Sequence, residues 1–293
     1  MRMLHVCAGW SDANGAAVIA RLIAGEQKAR GHEVSYGIWT GPRALRDADV
    51  VWTHCGWLPV LWWAGLFARR LVRMPEACYD PVRLAYHGWK KRLVKPIERF
   101  FLRRAEKVVA TCEAEAAWIR AYEPRAAVEV VDIKKHFDLG TASKASGARG
   151  ALHLLYLGRR HPLKGVEHLE DAMRSLARDD IELRQVSNAF GAEKERVWDW
   201  CDCLVLPTLS ENFGLVIAEA LERGKRVITT DGAPVWGEGV RFEELDALDG
   251  ARLKLGYGGR LVYIEGYREG TPAVRVASLR RAIERLDDIR KRP

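Results

Sequence analysis

Two carboxylates, Glu211 and Glu219, are separated by seven residues in a stretch typical of a strand, a turn and a helix. The apolar run Leu204–Pro207 is short enough for a buried parallel strand, and the polar turn Thr208–Asn212 carries Glu211. Glu219 lies in a helix predicted over Phe213–Leu221, because apolar residues recur on one of its faces. Since α/β proteins bind ligands where such strands end, the stretch predicts a ligand pocket. Taken alone, the two carboxylates resemble an acid/base pair.

The loop Gly158–Gly165 is expected to bring positive charge to the carboxyl end of another strand. It follows a strand predicted over Leu152–Leu157 and leads into a helix that begins at Val166. Arg159 and Lys164 stand near its two ends. A helix N-terminus with cationic side chains beside it suits an anion with several oxygens, such as a diphosphate.

The amino-terminal residues alternate between strand and helix patterns. Strands over Met3–Cys7 and Glu33–Trp39 flank a helix over Ala16–Arg30, which argues for a parallel sheet. Asn14 and Gly15 stand just before this helix, where a glycine lets backbone N–H groups face an anion. The loop lacks the G-x-G-x-x-G pattern, so a nicotinamide site is poorly supported, and a simple tight turn remains the alternative.

Two histidines compete for a role near a ligand. His54 ends the strand predicted over Val50–Thr53, so we expect it at the carboxyl edge of the sheet, facing a cleft. His87 lies just before a strongly basic helix, Lys90–Arg104. A lone histidine is more often structural, so both interpretations stay open for each residue.

The stretch Leu204–Trp236 resembles the E-x7-E signature of retaining family-4 glycosyltransferases of the GT-B type. The resemblance rests on more than two glutamates, because Leu-Pro, Asn-Phe-Gly, Glu-Ala-Leu and Ala-Pro residues stand around them. It covers most of the chain and is specific at Gly158–Gly165 and Leu204–Pro234. It implies an α/β protein with the GT-B fold, in which two Rossmann-like domains face each other across a cleft.

The same resemblance implies a nucleotide-sugar site. Arg159 and Lys164 would bind the donor diphosphate and stabilise the leaving group, Glu219 would reach the ribose, and Glu211 would lie near the donor sugar. Because positive groups can offset the charge on the leaving diphosphate, no metal and no cofactor beyond the donor substrate are expected. The implied catalytic residues are Arg159, Lys164 and Glu211, and the implied donor-binding residues are Gly15, Asn212, Phe213, Gly214, Leu215 and Glu219.

The resemblance is weaker on the acceptor side. Many family-4 enzymes have a functional histidine after their fourth strand. When the basic helix is matched to the family's, Pro75-Glu76-Ala77 falls at that point and His87 falls on the following loop. Glu76 would then take the position of the histidine. The acceptor-side candidates are Asn14, His54, Glu76 and His87.

The domain boundaries follow from composition and from the resemblance. We expect an amino-terminal acceptor domain over residues 1–140, a glycine-rich linker over 141–150, and a nucleotide-sugar-binding domain over 151–272. In GT-B folds a terminal helix can cross back to the first domain, and the helix expected over 273–293 is a candidate for this crossing.

The carboxy-terminal domain is expected to be shortened. Only one strand, Ile181–Val186, and one helix, Glu193–Cys201, fit between Lys164 and the carboxylate stretch, which leaves the donor nucleotide open. After Trp236 the pattern is irregular, apart from a strand over Leu261–Ile264 and a helix over Val274–Arg290.

Length and composition limit the class of protein and the compartment in which we expect it. The 293 residues allow two ordinary domains, the opening strand-like run does not resemble a signal peptide, and the longest apolar run, Trp57–Ala68, is too short to span a membrane. The cysteines lack paired zinc spacing and fit small core positions in a reducing compartment, so we expect a cytoplasmic protein. They are Cys7, Cys55, Cys78, Cys112, Cys201 and Cys203.

The formal net charge of +8 is concentrated in one part of the chain. Residues 61–110 contain 12 Lys and Arg but only 4 Asp and Glu. Such a surface attracts phospholipid head groups, nucleic acid or a phosphorylated acceptor, although a solvated helix face is the plain alternative. Within this region, Trp57–Arg73 resembles an apolar helix closed by Arg69, Arg70 and Arg73, either buried or lying on a membrane.

Together these features predict a retaining glycosyltransferase that moves a sugar from a nucleotide-sugar donor to a saccharide or lipid-linked acceptor. Cell-surface polysaccharide or lipopolysaccharide synthesis is the expected setting, with peripheral contact to the inner face of an anionic membrane. One alternative is a catalytically inactive GT-B-like interaction module on that membrane. Nucleic acid is not an expected partner, because no helix-turn-helix or aromatic stacking pattern is recognised.

Overall fold

The computed structural model describes residues 1–11, 14–86, 88–140, 150–187 and 189–291. The chain divides into two compact units, Met1–His136 and Phe137–Pro293. The predicted linker lies outside the described residues except for residue 150, and His87 lies outside them as well. No helix within the described ranges is both long and apolar enough to cross a membrane.

The first unit is built on six parallel strands in the order β2-β1-β3-β4-β5-β6. The strands are β1 (Arg2–Val6), β2 (Glu33–Gly37), β3 (Val50–His54), β4 (Leu71–Met74), β5 (Lys107–Ala110) and β6 (Val128–Val130). The helices are α1 (Gly15–Ala29), α2 (Pro42–Asp47), α3 (Pro59–Phe67), α4 (Pro81–Ala85), α5 (Gly88–Arg104) and α6 (Glu113–Tyr122).

The stretch Trp57–Arg73 is not one helix closed by arginines, so that interpretation was wrong. Helix α3 ends at Phe67 and strand β4 follows. Arg73 lies inside this strand, where its Nη2 is 2.7 Å from Oε1 of Glu98 and both side chains are buried. A buried opposite charge compensates the guanidinium, which is how an arginine occupies a central strand. Helix α3 itself buries one face and exposes Leu66 on the other.

The second unit contains a seven-stranded sheet in the order β11-β12-β13-β10-β9-β7-β8. The strands are β7 (Leu152–Leu157), β8 (Ile181–Val186), β9 (Cys203–Leu206), β10 (Arg226–Thr230), β11 (Glu243–Leu248), β12 (Ala251–Gly256) and β13 (Leu261–Glu265). The helices are α7 (Val166–Leu176), α8 (Gly191–Trp200), α9 (Leu215–Glu222) and α10 (Pro272–Lys291). The five strands from β13 to β8 are parallel.

One feature of the second unit differs from the sequence analysis. The region after Trp236 is not irregular, because β11 and β12 form an antiparallel hairpin that extends the sheet through β13. Helix α10 packs on α7 and on strands β12 and β13 of its own unit. Asp287 anchors it there, with Oδ2 2.6 Å from Arg178 and Oδ1 2.8 Å from Arg290.

The six cysteines are free, and four of them are buried, as the core interpretation predicted. The parallel strands of each unit end at the same edge of their sheet, which brings the segments after them together. In the second unit, the loops after β7, β9 and β10 meet there. In the first unit, the residues after β3 and β4 do so.

Candidate functional site

The loops after β7 and β9 are tied together at the carboxyl edge of the second sheet. The carbonyl of Leu163 accepts hydrogen bonds from the amide of Leu209 at 2.8 Å and from Oγ1 of Thr208 at 3.0 Å. Gly165 has φ +66°, and a Cβ added there would lie 2.0 Å from the carbonyl oxygen of Pro207. Only glycine permits this approach, so the backbone fixes the spacing of the two loops.

This contact brings together two residues predicted to bind the donor. The Lys164 ammonium forms an ion pair with Oε2 of Glu211, and each side chain is 17% exposed. The amide of Glu211 also donates to the carbonyl of Gly232, at 2.7 Å, in the loop after β10. The loops after three neighbouring parallel strands, β7, β9 and β10, therefore hold one cation and one carboxylate at a partly accessible point.

The residues after Glu211 form a rigid entry to helix α9. The amide of Asn212 lies 3.1 Å from Oε1 of Glu211, and the Phe213 ring is buried. Trp236 holds this turn, since its Nε1 donates to the carbonyl of Phe213 at 2.5 Å. Gly214 precedes the helix with φ +71°, a left-handed conformation that glycine adopts at little cost. The helix begins at Leu215, so its free N–H groups lie beside Glu211.

Glu219, the predicted ribose ligand, has a partner that the sequence analysis missed. Nζ of Lys194, in the first turns of α8, lies 2.8 Å from Oε1 and 2.7 Å from Oε2 of Glu219. Both side chains are about one quarter exposed. Helix α8 was predicted, but no spacing rule relates a lysine to a glutamate 25 residues away.

The two arginines of the β7 loop differ in their availability. Arg160 is engaged by Glu170, with nitrogen–oxygen distances of 2.6 and 2.8 Å. Arg159 is exposed, and its carbonyl accepts a hydrogen bond from the Tyr156 hydroxyl at 2.8 Å, which fixes the backbone at that point. The loop therefore exposes the Arg159 side chain to solvent, whereas it pairs Arg160 with Glu170 of helix α7.

In the first unit, Asn14 has a structural function in the loop before α1. Its Oδ1 accepts from the amide of Ala16 at 3.2 Å and caps the helix, while its Nδ2 donates to the carbonyl of Gly9 at 2.7 Å. Gly15 is the first residue of the helix. An N-cap of this kind satisfies one of the free N–H groups that an anion would otherwise bind.

His54 does not face a cleft, which corrects the expectation, because its side chain is fully buried. Nδ1 of His54 lies 3.2 Å from Oε1 of Glu76, and its Nε2 lies 3.0 Å from Nδ1 of His5. Nε2 of His5 lies 2.8 Å from Oε1 of Gln27. The structure thus joins two predicted acceptor-side residues, His54 and Glu76, into a buried chain of four polar side chains.

The protonation of this chain follows from burial. Burial, and secondarily the carboxylate of Glu115, raises the pKa of Glu76 to about 8. Burial lowers the pKa of His54 to about 3 and, with the nearby His54, that of His5 to about 3. All three groups are therefore neutral near pH 7. One arrangement satisfies every distance: Glu76 donates to His54, His54 donates to His5, and His5 donates to Gln27.

The backbone around this chain is strained. Four residues other than glycine have φ between 57° and 72°, namely Cys55, Trp57, Glu76 and Ala77. They cluster directly after β3 and β4, at the edge of the sheet where α/β proteins bind ligands. Buried Glu115 holds one of them, since its Oε1 accepts from the amide of Ala77 at 2.5 Å. Strain of this kind persists where the surroundings impose it and is common at functional sites.

Comparison with known proteins agrees with this architecture. Residues 38–132 match the family described as "Glycosyl transferase 4-like domain". HepE from Anabaena, solved in complex with UDP-glucose, is 15% identical with a TM-score of 0.64, over 99% of this chain and 91% of that one. Sucrose-phosphate synthase from Thermosynechococcus elongatus is 13% identical with a TM-score of 0.63, over 98% and 94%. WaaG, "a glycosyltransferase involved in lipopolysaccharide biosynthesis", is 14% identical with a TM-score of 0.59, over 98% and 94%. No curated protein sequence matches the chain.

The fold is therefore that of the GT-B glycosyltransferases, with two α/β units built on largely parallel sheets. Within it, residues 38–132 match the glycosyl transferase 4-like domain. The resemblance to family-4 glycosyltransferases, which the sequence predicted from the second unit, is confirmed by a match in the first.

Proposed function

We propose that the protein is a retaining glycosyltransferase that uses a nucleotide-diphosphate sugar. The observation that carries this proposal is the joining of Lys164 and Glu211 at the carboxyl edge of the second sheet, with Glu219 on the helix that follows. A cation for a diphosphate, on the loop after β7, pairs with a carboxylate for sugar hydroxyls, and that carboxylate shares the β9–α9–β10 unit with a carboxylate for a ribose. The GT-B fold and the UDP-glucose complex of HepE support the same donor class.

The proposed work of the cations is to stabilise the leaving group. As the bond to the sugar breaks, negative charge accumulates on the diphosphate, and preorganised positive groups offset it. We assign this to Arg159, which is exposed, and to Lys164. Lys164 is held by Glu211 before the donor binds, so it is already ordered. No metal or further cofactor is required for this step.

The donor sugar is assigned to Glu211 and to the turn that follows it. The Glu211 carboxylate can accept hydrogen bonds from sugar hydroxyls, and the amides of Phe213–Leu215 face the same point before helix α9. Glu219 is assigned to the ribose. The front-side departure of the leaving group is attributed mainly to donor and acceptor themselves, so no protein nucleophile is nominated.

The acceptor is proposed to be a saccharide or a lipid-linked saccharide, in cell-surface polysaccharide or lipopolysaccharide synthesis. WaaG and WaaB, two proteins with a similar fold, are described as enzymes of lipopolysaccharide synthesis. The basic region of the first unit supports contact with an anionic membrane, where lipid-linked acceptors are found. We interpret three of the acceptor-side candidates as residues that support the acceptor side of the site without contacting the acceptor. Asn14 caps helix α1, and the side chains of His54 and Glu76 are buried.

An assay of product stereochemistry tests this proposal. The protein is incubated with UDP-, GDP- and ADP-sugars and with saccharide acceptors, and the new anomeric proton is observed by NMR. We expect release of the nucleoside diphosphate and a product with the anomeric configuration of the donor. An inverted product would refute retention, and binding of a donor without any turnover would favour the inactive module.

A further inference from the structure

Helix α5 carries a row of exposed apolar side chains. Trp89 is 63% exposed, Leu93 72%, Ile97 44% and Phe100 49%. They are spaced by four, four and three residues, so they lie on one face of the helix. Isolated exposed apolar residues are ordinary on protein surfaces, but a continuous row of four marks an interaction site.

The buried face of the helix fixes the direction of this row. Glu98 is fully buried and is held by three donors: Arg73 at 2.7 Å, the Tyr79 hydroxyl at 2.5 Å and Nε1 of Trp62 at 2.5 Å. Phe101 and Leu102 pack in the core beside it. Since Glu98 lies on the opposite side of the helix from Trp89 and Phe100, the apolar row cannot rotate inward without breaking this buried network.

Basic side chains flank the row. Lys90 follows Trp89 on one side, and its Nζ lies 5.5 Å from the centre of the Trp89 ring. Arg92 and Arg103 lie along the other side, and both are exposed. An exposed helix face with a central apolar row and cationic margins has the composition of helices that lie in the interface of anionic bilayers.

We propose that this face of α5, which we call the docking face, binds the surface of an anionic lipid bilayer. The row from Trp89 to Phe100 extends for about 17 Å along the helix axis. It would enter the boundary between head groups and acyl chains, while Lys90, Arg92 and Arg103 contact the phosphates. This names the surface for the membrane contact proposed above, and it rests on that part of the proposed function and not on the transfer reaction.

The composition of the docking face disfavours two other binding partners, a second copy of the chain and a nucleic acid. A second copy of the chain, related by two-fold symmetry, would place the same basic margin against itself without an acidic counterpart. A nucleic acid would pair with the cations but would leave Leu93 and Ile97 unburied. An anionic bilayer satisfies both the apolar row and its margins.

Vesicle sedimentation with the full chain tests the proposal. The wild-type protein should sediment with mixed phosphatidylcholine–phosphatidylglycerol vesicles and remain in solution with phosphatidylcholine alone. Leu93→Gln combined with Phe100→Gln should weaken binding by more than about tenfold, since two buried apolar side chains are lost. Phe190→Gln is the matched control, because Phe190 is 50% exposed in the other unit.

The charged margin is tested in the same way. Replacing Lys90, Arg92 and Arg103 by Gln should weaken binding about a hundredfold, because each cation contributes roughly a fivefold factor near an anionic surface. Replacing Arg30, Arg43 and Arg174 by Gln removes equal charge from other exposed positions and should have little effect.

Failure to bind anionic vesicles, or equal binding by all variants, would overturn the proposal. A wild-type dimer in solution that Leu93→Gln dissociates would assign the face to a second copy instead. Donor binding, measured on each variant, should stay at the wild-type level. A protein that docks on vesicles but binds no donor would refute the transfer reaction alone, whereas one that binds a donor but no vesicle would refute the docking face alone.

Discussion

The ammonium of Lys164 is paired with the carboxylate of Glu211, although 47 residues separate the two in sequence. The contact exists because the loops after β7 and β9 share backbone hydrogen bonds and because Gly165 lacks a side chain. It changes the interpretation of the glutamates. Glu211 and Glu219 are each paired with a lysine, which favours our proposal that they bind the donor over the interpretation as an acid/base pair.

Replacing Lys164 should remove transfer while leaving the fold intact. Lys164→Ala deletes a cation from the leaving diphosphate, and the loss of one such group typically costs about a hundredfold to a thousandfold in rate. The rate constant kcat is the quantity to compare. Arg160→Ala is the matched control, because Arg160 belongs to the same loop but is engaged by Glu170. Near-normal turnover in Lys164→Ala would contradict the phosphate assignment.

Lys194 should act on donor affinity rather than on the chemical step. It holds both oxygens of Glu219, so Lys194→Met leaves that carboxylate without its partner. We expect KM for the donor to rise about tenfold, with kcat nearly unchanged, and the effect to shrink for a donor that lacks the ribose hydroxyls. Glu195→Ala on the same helix is the control, since Glu195 pairs with Arg223 at the surface. An equal rise in KM for both donors would show that Lys194 does not act through recognition of the ribose.

Glu76 should make the first unit less stable at high pH. Its pKa is about 8 in the folded protein against an ordinary value of 4.5, so the folded chain holds an extra proton between these values. Stability therefore falls as pH rises through this window. From pH 6.5 to pH 8 the expected loss is about 2 kcal/mol.

Glu76→Gln supplies the comparison for this pH effect. The amide can donate to His54 as the protonated carboxyl does, yet it does not titrate. Between pH 6.5 and pH 8, the free energy of unfolding of the wild type, measured by urea denaturation, should fall by about 2 kcal/mol relative to that of the variant. His5 and His54, whose pKa is lowered from 6.5 by burial, take up protons on unfolding near pH 6.5, so they raise the stability of both proteins equally as pH increases and cancel in the comparison. Identical pH dependence in the two proteins would show that Glu76 is charged in the fold.

The buried network around Glu98 should be a large contributor to stability. Glu98→Ala leaves the guanidinium of Arg73 buried without a partner, which typically costs about 3–5 kcal/mol. Glu106→Ala is the control, since its pair with Arg70 is exposed and should change the unfolding midpoint little. Calorimetric unfolding of the two variants measures the difference. Similar midpoints would mean that Arg73 finds water or another partner.

Much of the fold could be predicted because buried parallel strands appear in sequence as short apolar runs. Strands β7 and β8 have the predicted bounds, since their ends coincide with changes in hydrophobic pattern. Strands β11 and β12 were missed because neither is a continuous apolar run and their exposure alternates irregularly. Strand β4 was missed because Arg73, which resembles a helix end in sequence, is neutralised by a glutamate 25 residues away.

The site divides in the same way. Arg159, Lys164, Glu211 and Glu219 could be proposed from sequence because their motifs are local, in the loops and the helix that follow single strands. The partners Lys194 and His5 could not, since each meets its counterpart through tertiary packing. His54 was placed correctly at the end of a strand, but burial depends on what covers that strand. Sequence patterns near a residue do not report this.

Calorimetric titration of a nucleotide-sugar donor tests the central claim most directly. UDP-, GDP- and ADP-sugars are titrated into the wild-type protein and into Lys164→Ala, with Arg160→Ala as the control. The proposed donor site predicts that one donor class binds the wild type and Arg160→Ala with similar affinity and binds Lys164→Ala much more weakly. Binding that is unchanged in Lys164→Ala, or no binding of any donor to the wild type, would contradict it.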